Sequence, residues 1–175
     1  MKPVRVLMFA AAALAAAGPA AAETAEEAVA YVFLGLADGG TLVRDTTTMK
    51  WVEAGGSPAV FDSDAIVKGK PAKLRFTIKA NDPCTYEVIL EGPPKMVPGT
   101  KRLFARVDLK DIAAVTIAPD GFHQTVDGKG FCETGISNPN CLQMERHDLF
   151  GPVEVERHRQ SLAFLTTEVC APAKQ

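Results

Sequence analysis

The sequence predicts an α+β domain with an N-terminal helix, an antiparallel meander of about seven short strands and a C-terminal helix packed on the sheet. Three observations lead to this prediction. Apolar residues recur every three to four positions near both ends of the part that follows residue 22. Between about Thr48 and Glu145 they alternate with polar residues instead, as in strands with one buried face. Clusters of glycine, proline, asparagine and aspartate divide this middle part into short runs.

The first 22 residues have the pattern of a cleavable secretory signal. Two basic residues, Lys2 and Arg5, precede the apolar stretch from Val6 to Ala17. That stretch is shorter than the about 20 residues that span a membrane and fits the roughly 7 to 15 of a signal. Small residues end it, so we expect cleavage after Ala22, with a retained anchor as the alternative. The prediction is a single mature domain over residues 23–175, periplasmic or secreted.

Charge and hydropathy argue against several classes of protein. The whole chain has a net charge of −2, and losing two cations with the signal makes it −4. A nucleic-acid-binding domain usually carries a basic excess, so we expect no nucleic-acid partner. No second apolar run is long enough to span a membrane. No cofactor is predicted, and the expected partner is an unidentified ligand or envelope protein.

Four cysteines in the mature part predict two disulfides in an oxidising compartment. Turn-forming residues separate Cys132 from Cys141, which favours a short loop closed by this pair. Cys84 then pairs with Cys170. The alternative is a metal site formed by His123, Cys132, Cys141 and His147. That set lacks the close C-x2-C pair typical of zinc sites, so no metal is predicted.

The first helix begins with a capping box. The Thr24 hydroxyl can accept from the Glu27 amide while the Glu27 carboxylate accepts from the Thr24 amide. An apolar stripe of Val29, Val32, Phe33 and Leu36 follows. The helix is expected to end at Asp38-Gly39-Gly40, where a glycine can take the left-handed conformation. This stripe predicts a helix with one face in the core.

The clearest hairpin joins a strand over 72–80 to a strand over 84–91. If Asn81 to Pro83 form a three-residue turn, Phe76 faces Val88 and the apolar side chains of both strands share one face. The opposite face of this hairpin is expected to be exposed to solvent.

The C-terminal helix is expected to begin near Gly151 and Pro152, a common pairing at a helix start. Its predicted buried stripe consists of Val155, Leu162, Leu165 and Val169. The stripe should lie across the sheet, with Cys170 near the last turn.

The order of elements resembles a pleckstrin-homology-like barrel closed by its C-terminal helix. The run Val107 to Ile112, followed by a strand, is similar to the middle hairpin of that architecture. A helix laid against a curved open sheet is an equally economical arrangement. Both alternatives stay open from the sequence.

Three histidines are the candidate general acids or bases, each with a carboxylate nearby in sequence. His123 follows Asp120, and His158 follows Glu154 and Glu156. The densest polar cluster is Glu145, Arg146, His147 and Asp148. No known catalytic motif accompanies them, so structural roles are favoured, with His158 on a helix surface.

One face of the predicted sheet carries several cations that could bind an anion. They are Lys73, Arg75, Lys79, Arg102 and Arg106. Glu87 and Glu91 should neutralise part of this face, so a solvated surface is favoured. Trp51, the only tryptophan, lies in a predicted strand, where core packing is favoured over a ligand platform.

The sequence therefore favours an exported, non-catalytic domain that binds a ligand or an envelope partner. The alternative is a small periplasmic hydrolase that uses a histidine and carboxylate pair. A deep pocket joining such a pair to a hydroxyl would favour the hydrolase.

Overall fold

The computed structural model describes residues 23–44, 47–53, 56–67, 69–134, 141–151 and 153–171. The predicted signal and its cleavage site lie outside these residues. Within them the chain forms two α-helices and eleven strands, and the α+β class is confirmed. The elements in chain order are α1 Ala25–Leu34, β1 Thr41–Arg44, β2 Thr47–Glu53, β3 Ala59–Val67, β4 Lys70–Asp82, β5 Thr85–Glu91, β6 Lys101–Asp108, β7 Ile112–Ile117, β8 His123–Gly128, β9 Phe131–Glu133, β10 Leu142–Gln143, β11 Arg146–Phe150 and α2 Val155–Phe164.

The strands form two antiparallel sheets. The larger has the order β1-β2-β3-β4-β5-β6-β9-β10, and the smaller has the order β11-β8-β7. In the described part of the chain, β1 pairs with β2 alone and β10 pairs with β9 alone, so strand pairing leaves the larger sheet open. Of the two predicted arrangements, the observed one is the open sheet with helices packed on it.

Helix α1 lies at the centre of the core. The predicted capping box is present, with the Thr24 hydroxyl accepting from the Glu27 amide at 3.2 Å. The helix ends earlier than predicted, because Gly35 rather than Gly39 takes the left-handed conformation that closes it, with φ of 65°. Every residue from Ala28 to Phe33 is buried, so α1 is covered all round and not along one stripe. It contacts β3 and β4 of the larger sheet, β11 of the smaller sheet, and α2.

Helix α2 packs on α1 and on the smaller sheet, through a partly different face from the predicted one. Leu165, in the π-helical turn that continues α2, is fully buried, but Val155 and Leu162 are only half-buried. His158 and Ser161 are buried instead. Their polar groups are satisfied, by Gln124 of β8 at 3.0 Å and by Glu23 at 2.6 Å respectively. Paired polar groups can be buried at little cost, which is why apolar spacing alone missed this face.

The predicted register of the β4–β5 hairpin was wrong by two residues. Strand β4 continues to Asp82, which pairs with Thr85 across a two-residue turn. The Asp82 carboxylate stabilises this turn by accepting from the Cys84 amide at 2.8 Å. A β-bulge between Ala80 and Asp82 then shifts the pairing by one residue, so that Phe76 lies opposite Leu90, not Val88. Because the shift is an even number of residues, every side chain keeps its predicted face.

Both predicted disulfides are confirmed. Cys84 is bonded to Cys170, with Cα atoms 4.8 Å apart, and joins the β4–β5 turn to the end of the π-helical turn. Cys132 is bonded to Cys141 and closes the short loop. Two disulfides indicate an oxidising, extracytoplasmic environment. None of the helices in the described ranges has the length and apolar character needed to cross a bilayer.

Candidate functional site

An apolar cleft opens between the end of α1, the inner face of the larger sheet and β11. The inner face is the one that packs on α1 and carries buried residues such as Phe76 and Ala105. The cleft has a volume of about 360 Å³, within the range of small-molecule sites. It is lined by Phe33, Leu34, Leu36, Met49, Trp51, Leu74, Phe76, Phe104, Phe131, Glu133, Asp148 and Leu149.

Aromatic rings form much of the cleft wall. Trp51 meets Phe76 edge to face at 5.4 Å, and Phe76 meets Phe104 in the same way at 5.3 Å. On the other side Phe33 stacks on Phe131 at 6.0 Å. Such pairs fix ring orientations beyond what burial alone achieves. The rings of the wall therefore support one another by aromatic contacts as well as by burial.

Strand alternation explains why these residues converge. In antiparallel strands, residues paired across the ladder point to the same face. Trp51 on β2 pairs with Ser63 on β3, which pairs with Leu74 on β4, so all three share the inner face. Ser63 is buried, and its hydroxyl has no hydrogen-bond partner in the described part of the chain. Ser63 itself does not line the cleft.

Glu133 and Asp148 are the polar residues of the lining. Glu133 pairs with the buried Ala105, which places its carboxyl group on the inner face. Burial raises the pKa of Glu133, while the nearby Arg102 acts in the opposite direction. Asp148 accepts from the Thr125 hydroxyl at 3.2 Å and lies 3.7 Å from Arg146. The cleft is thus apolar with an acidic border.

Four of the five predicted anion-binding cations lie on the outer face of the larger sheet, and the fifth does not. Lys73, Arg75, Lys79 and Arg106 are exposed there, whereas Arg102 pairs with the buried Leu90 and faces inward. Arg75 binds Asp62 at 2.7 Å and Arg106 binds Glu87 at 3.2 Å. Lys73 lies 3.7 Å from Asp64, and Lys79 lies opposite Glu87. Acids neutralise this face, so its geometry does not favour an anion site.

The predicted polar cluster before and along β11 is divided by the alternation of the strand. The Glu145 carboxylate forms an exposed ion pair with Lys129 at 3.1 Å. Arg146 and Asp148 are also exposed. His147 points the other way and is buried, with its ring edge to face against Phe131 at 5.1 Å. The four residues do not converge on one point.

The histidines occupy three different environments. The His123 Nδ1 lies 2.5 Å from Asp120 on the exposed turn before β8. Hydrogen bonds from the Phe122 amide, then from His123, lower the pKa of Asp120 to about 2, so this carboxylate mainly holds the turn. His158 is buried and bonded to Gln124, which corrects the expectation that it lies on a helix surface. Neither His123 nor His158 lines the cleft.

The two buried histidines predict weaker folding at mildly acidic pH. Burial lowers the pKa of His147 and of His158 in the folded protein, so the unfolded chain takes up protons first as the pH falls below about 6.5. Their contribution to stability is complete above that pH and declines below it. We expect urea unfolding to give a smaller free energy at pH 5.5 than at pH 7.5. The difference should shrink in His158→Gln, and an unchanged difference would contradict this explanation.

The alternative metal site loses two of its ligands to the short disulfide. Cys132 and Cys141 are bonded to each other and offer no thiolate. Among the described residues no group of three or more histidine, cysteine, aspartate or glutamate side chains is placed to hold a metal ion.

No protein-family model, curated protein or solved structure matches this chain. The candidate site therefore stands on its own geometry.

Sequence reasoning did not single out the cleft, and Glu133 in particular was missed. The cleft draws its lining from α1, four strands of the larger sheet and β11, which no local pattern connects. One signal was available for Glu133. In a strand that begins at Phe131, the period of two places Glu133 on the same face as that apolar ring.

Proposed function

We propose that this protein is an exported, non-catalytic domain, periplasmic or secreted, that binds the apolar part of a small ligand in the cleft. The observation that carries the proposal is the cleft itself, where ten apolar side chains converge around a volume of about 360 Å³. Ligand sites in proteins are typically of this kind, mostly apolar with a few placed polar groups.

The partial exposure of apolar side chains in the cleft lining supports a binding role. Met49, Phe104 and Leu149 are only half-buried, so apolar surface remains in contact with solvent. Covering this surface would be favourable at roughly 25 cal/mol for each Å² removed from water.

The only tryptophan of the chain makes the proposal measurable. Trp51 lines the cleft and is 4% exposed, so its fluorescence reports directly on the site. We expect a neutral alkyl alcohol such as 1-decanol to change Trp51 emission saturably and to displace the apolar probe N-phenyl-1-naphthylamine.

A matched pair of methionine variants tests the location. Met49→Gln places an amide in the cleft and should weaken decanol binding about tenfold, since burying an amide without a partner costs about 1 to 3 kcal/mol. Met144 is exposed and does not line the cleft, so Met144→Gln should bind as the wild type does. No saturable signal, or equal loss in both variants, would refute binding in the cleft.

The hydrolase alternative rests on the His123 and Asp120 contact alone. That pair lies on an exposed turn outside the cleft, and Asp120 is engaged with the backbone amides of the turn. Ester hydrolysis that is lost in His123→Ala and kept in Met49→Gln would favour this alternative.

A further inference from the structure

The charged residues of the cleft lining are all negative. The lining contains two carboxylates and no lysine or arginine. Both acids stand at an otherwise apolar wall, where few polar groups compete for a ligand charge. Electrostatic complementarity between such a lining and its ligand therefore favours a positive over a negative group.

The two carboxylates differ in how well the protein satisfies them. Asp148 has the Thr125 hydroxyl at 3.2 Å and Arg146 at 3.7 Å. The Glu133 carboxylate has no hydrogen bond or ion pair with any residue that the structure describes. Arg102 acts on it electrostatically and opposes the rise of its pKa.

Arg102 is already engaged elsewhere. Its guanidinium donates to the Thr134 carbonyl at 3.1 Å and lies over the Phe104 ring, 5.7 Å from the centroid. Arg102 does not line the cleft. Glu133 thus keeps free acceptor atoms at the wall, while the cation beside it is held in place by other contacts.

The Glu133 side chain is accessible to a ligand cation. The residue is exposed, and its carboxyl group stands at the cleft lining, where partial desolvation raises its pKa. A charge-assisted hydrogen bond from an ammonium group would satisfy the ionised carboxylate.

Building on the proposed function, we propose that the ligand is a cationic amphiphile, whose alkyl or aromatic body fills the cleft and whose ammonium group binds Glu133. The carboxylate selects the head group, and the aromatic wall binds the body without regard to charge. The two roles belong to different residues and can be separated by experiment.

Three ligands with one tail test this selection: decylammonium, 1-decanol and decanoate, each below its aggregation concentration at pH 7.5. Trp51 fluorescence and displacement of N-phenyl-1-naphthylamine give the affinities. We expect decylammonium to bind five- to tenfold more tightly than decanol, and decanoate to bind more weakly than decanol. Equal affinities, or tightest binding of decanoate, would overturn the selection by Glu133 while leaving the apolar site intact.

Two glutamine variants complete the test. Glu133→Gln should remove the preference for decylammonium over decanol, and continued saturable binding of decanol shows that the cleft of this variant is folded. Glu145→Gln is the matched control, because Glu145 is exposed, pairs with Lys129 and does not line the cleft. A preference that survives Glu133→Gln overturns the assignment. Failure of all three ligands to bind the wild type refutes the proposed function itself.

Discussion

Replacing Cys84 and Cys170 together by alanine should lower the free energy of unfolding by about 4.6 kcal/mol. On the chain-entropy account, a bond between residues 86 positions apart removes many conformations from the unfolded chain. The bond also holds the end of the π-helical turn against the β4–β5 turn, at a cysteine that belongs to the core. Urea unfolding without reductant measures the loss.

The short disulfide is the matched control. Cys132 and Cys141 are only 9 positions apart, and the same account gives about 2.7 kcal/mol for this pair. The double alanine variant at these positions should therefore lose less stability than the variant of the long bond. An equal or larger loss would show that loop length does not govern the two contributions.

Phe33→Ala should lower the free energy of unfolding by about 3 to 5 kcal/mol, through lost burial and the cavity left behind. Phe33 is 2% exposed, lies on the central helix and stacks on Phe131. The total free energy of unfolding of proteins of this size is about 5 to 15 kcal/mol, so the variant should be close to unfolding. Thermal and urea melts followed by circular dichroism measure the change.

An exposed apolar residue provides the comparison for Phe33. Ile66 is 53% exposed, so Ile66→Ala should cost no more than about 0.5 kcal/mol. If the two variants were equally stable, α1 would not be the centre of the core.

Local patterns were the reliable part of the sequence prediction. The capping box at Thr24 needs only four neighbouring residues, and the structure shows it. The end of the same helix was predicted four residues late, because Gly35 and Gly39 can both adopt the left-handed conformation and both do. The choice between them depends on the packing of α1, which the sequence does not display.

The β4–β5 hairpin shows the same limit for strands. Period two identified the buried face of β4, and that face is correct. The register depends on the turn, where the Asp82 carboxylate favours a two-residue connection over the three-residue one expected, and on the β-bulge between Ala80 and Asp82. Face and register are separate quantities, and only the first follows from hydrophobic alternation.

Polar burial explains the remaining errors. His158 was expected on a surface because histidine is polar, yet Gln124 satisfies its ring in the interior. Gln124 is 34 residues away in sequence, so no local pattern connects the two. Glu133 was passed over for a related reason, since a single carboxylate in a three-residue strand has no distinguishing spacing.

The central position of α1 has a consequence for the timing of folding. The helix precedes every strand that covers it, and its Tyr31 hydroxyl accepts from the amide of Glu154, the residue that caps α2, 123 positions away. Contacts between such distant parts of a chain form slowly. During synthesis the buried helix α1 is therefore made before the strands and the second helix that cover it. A chain that stops before α2 would leave part of the apolar surface of α1 uncovered and prone to aggregation.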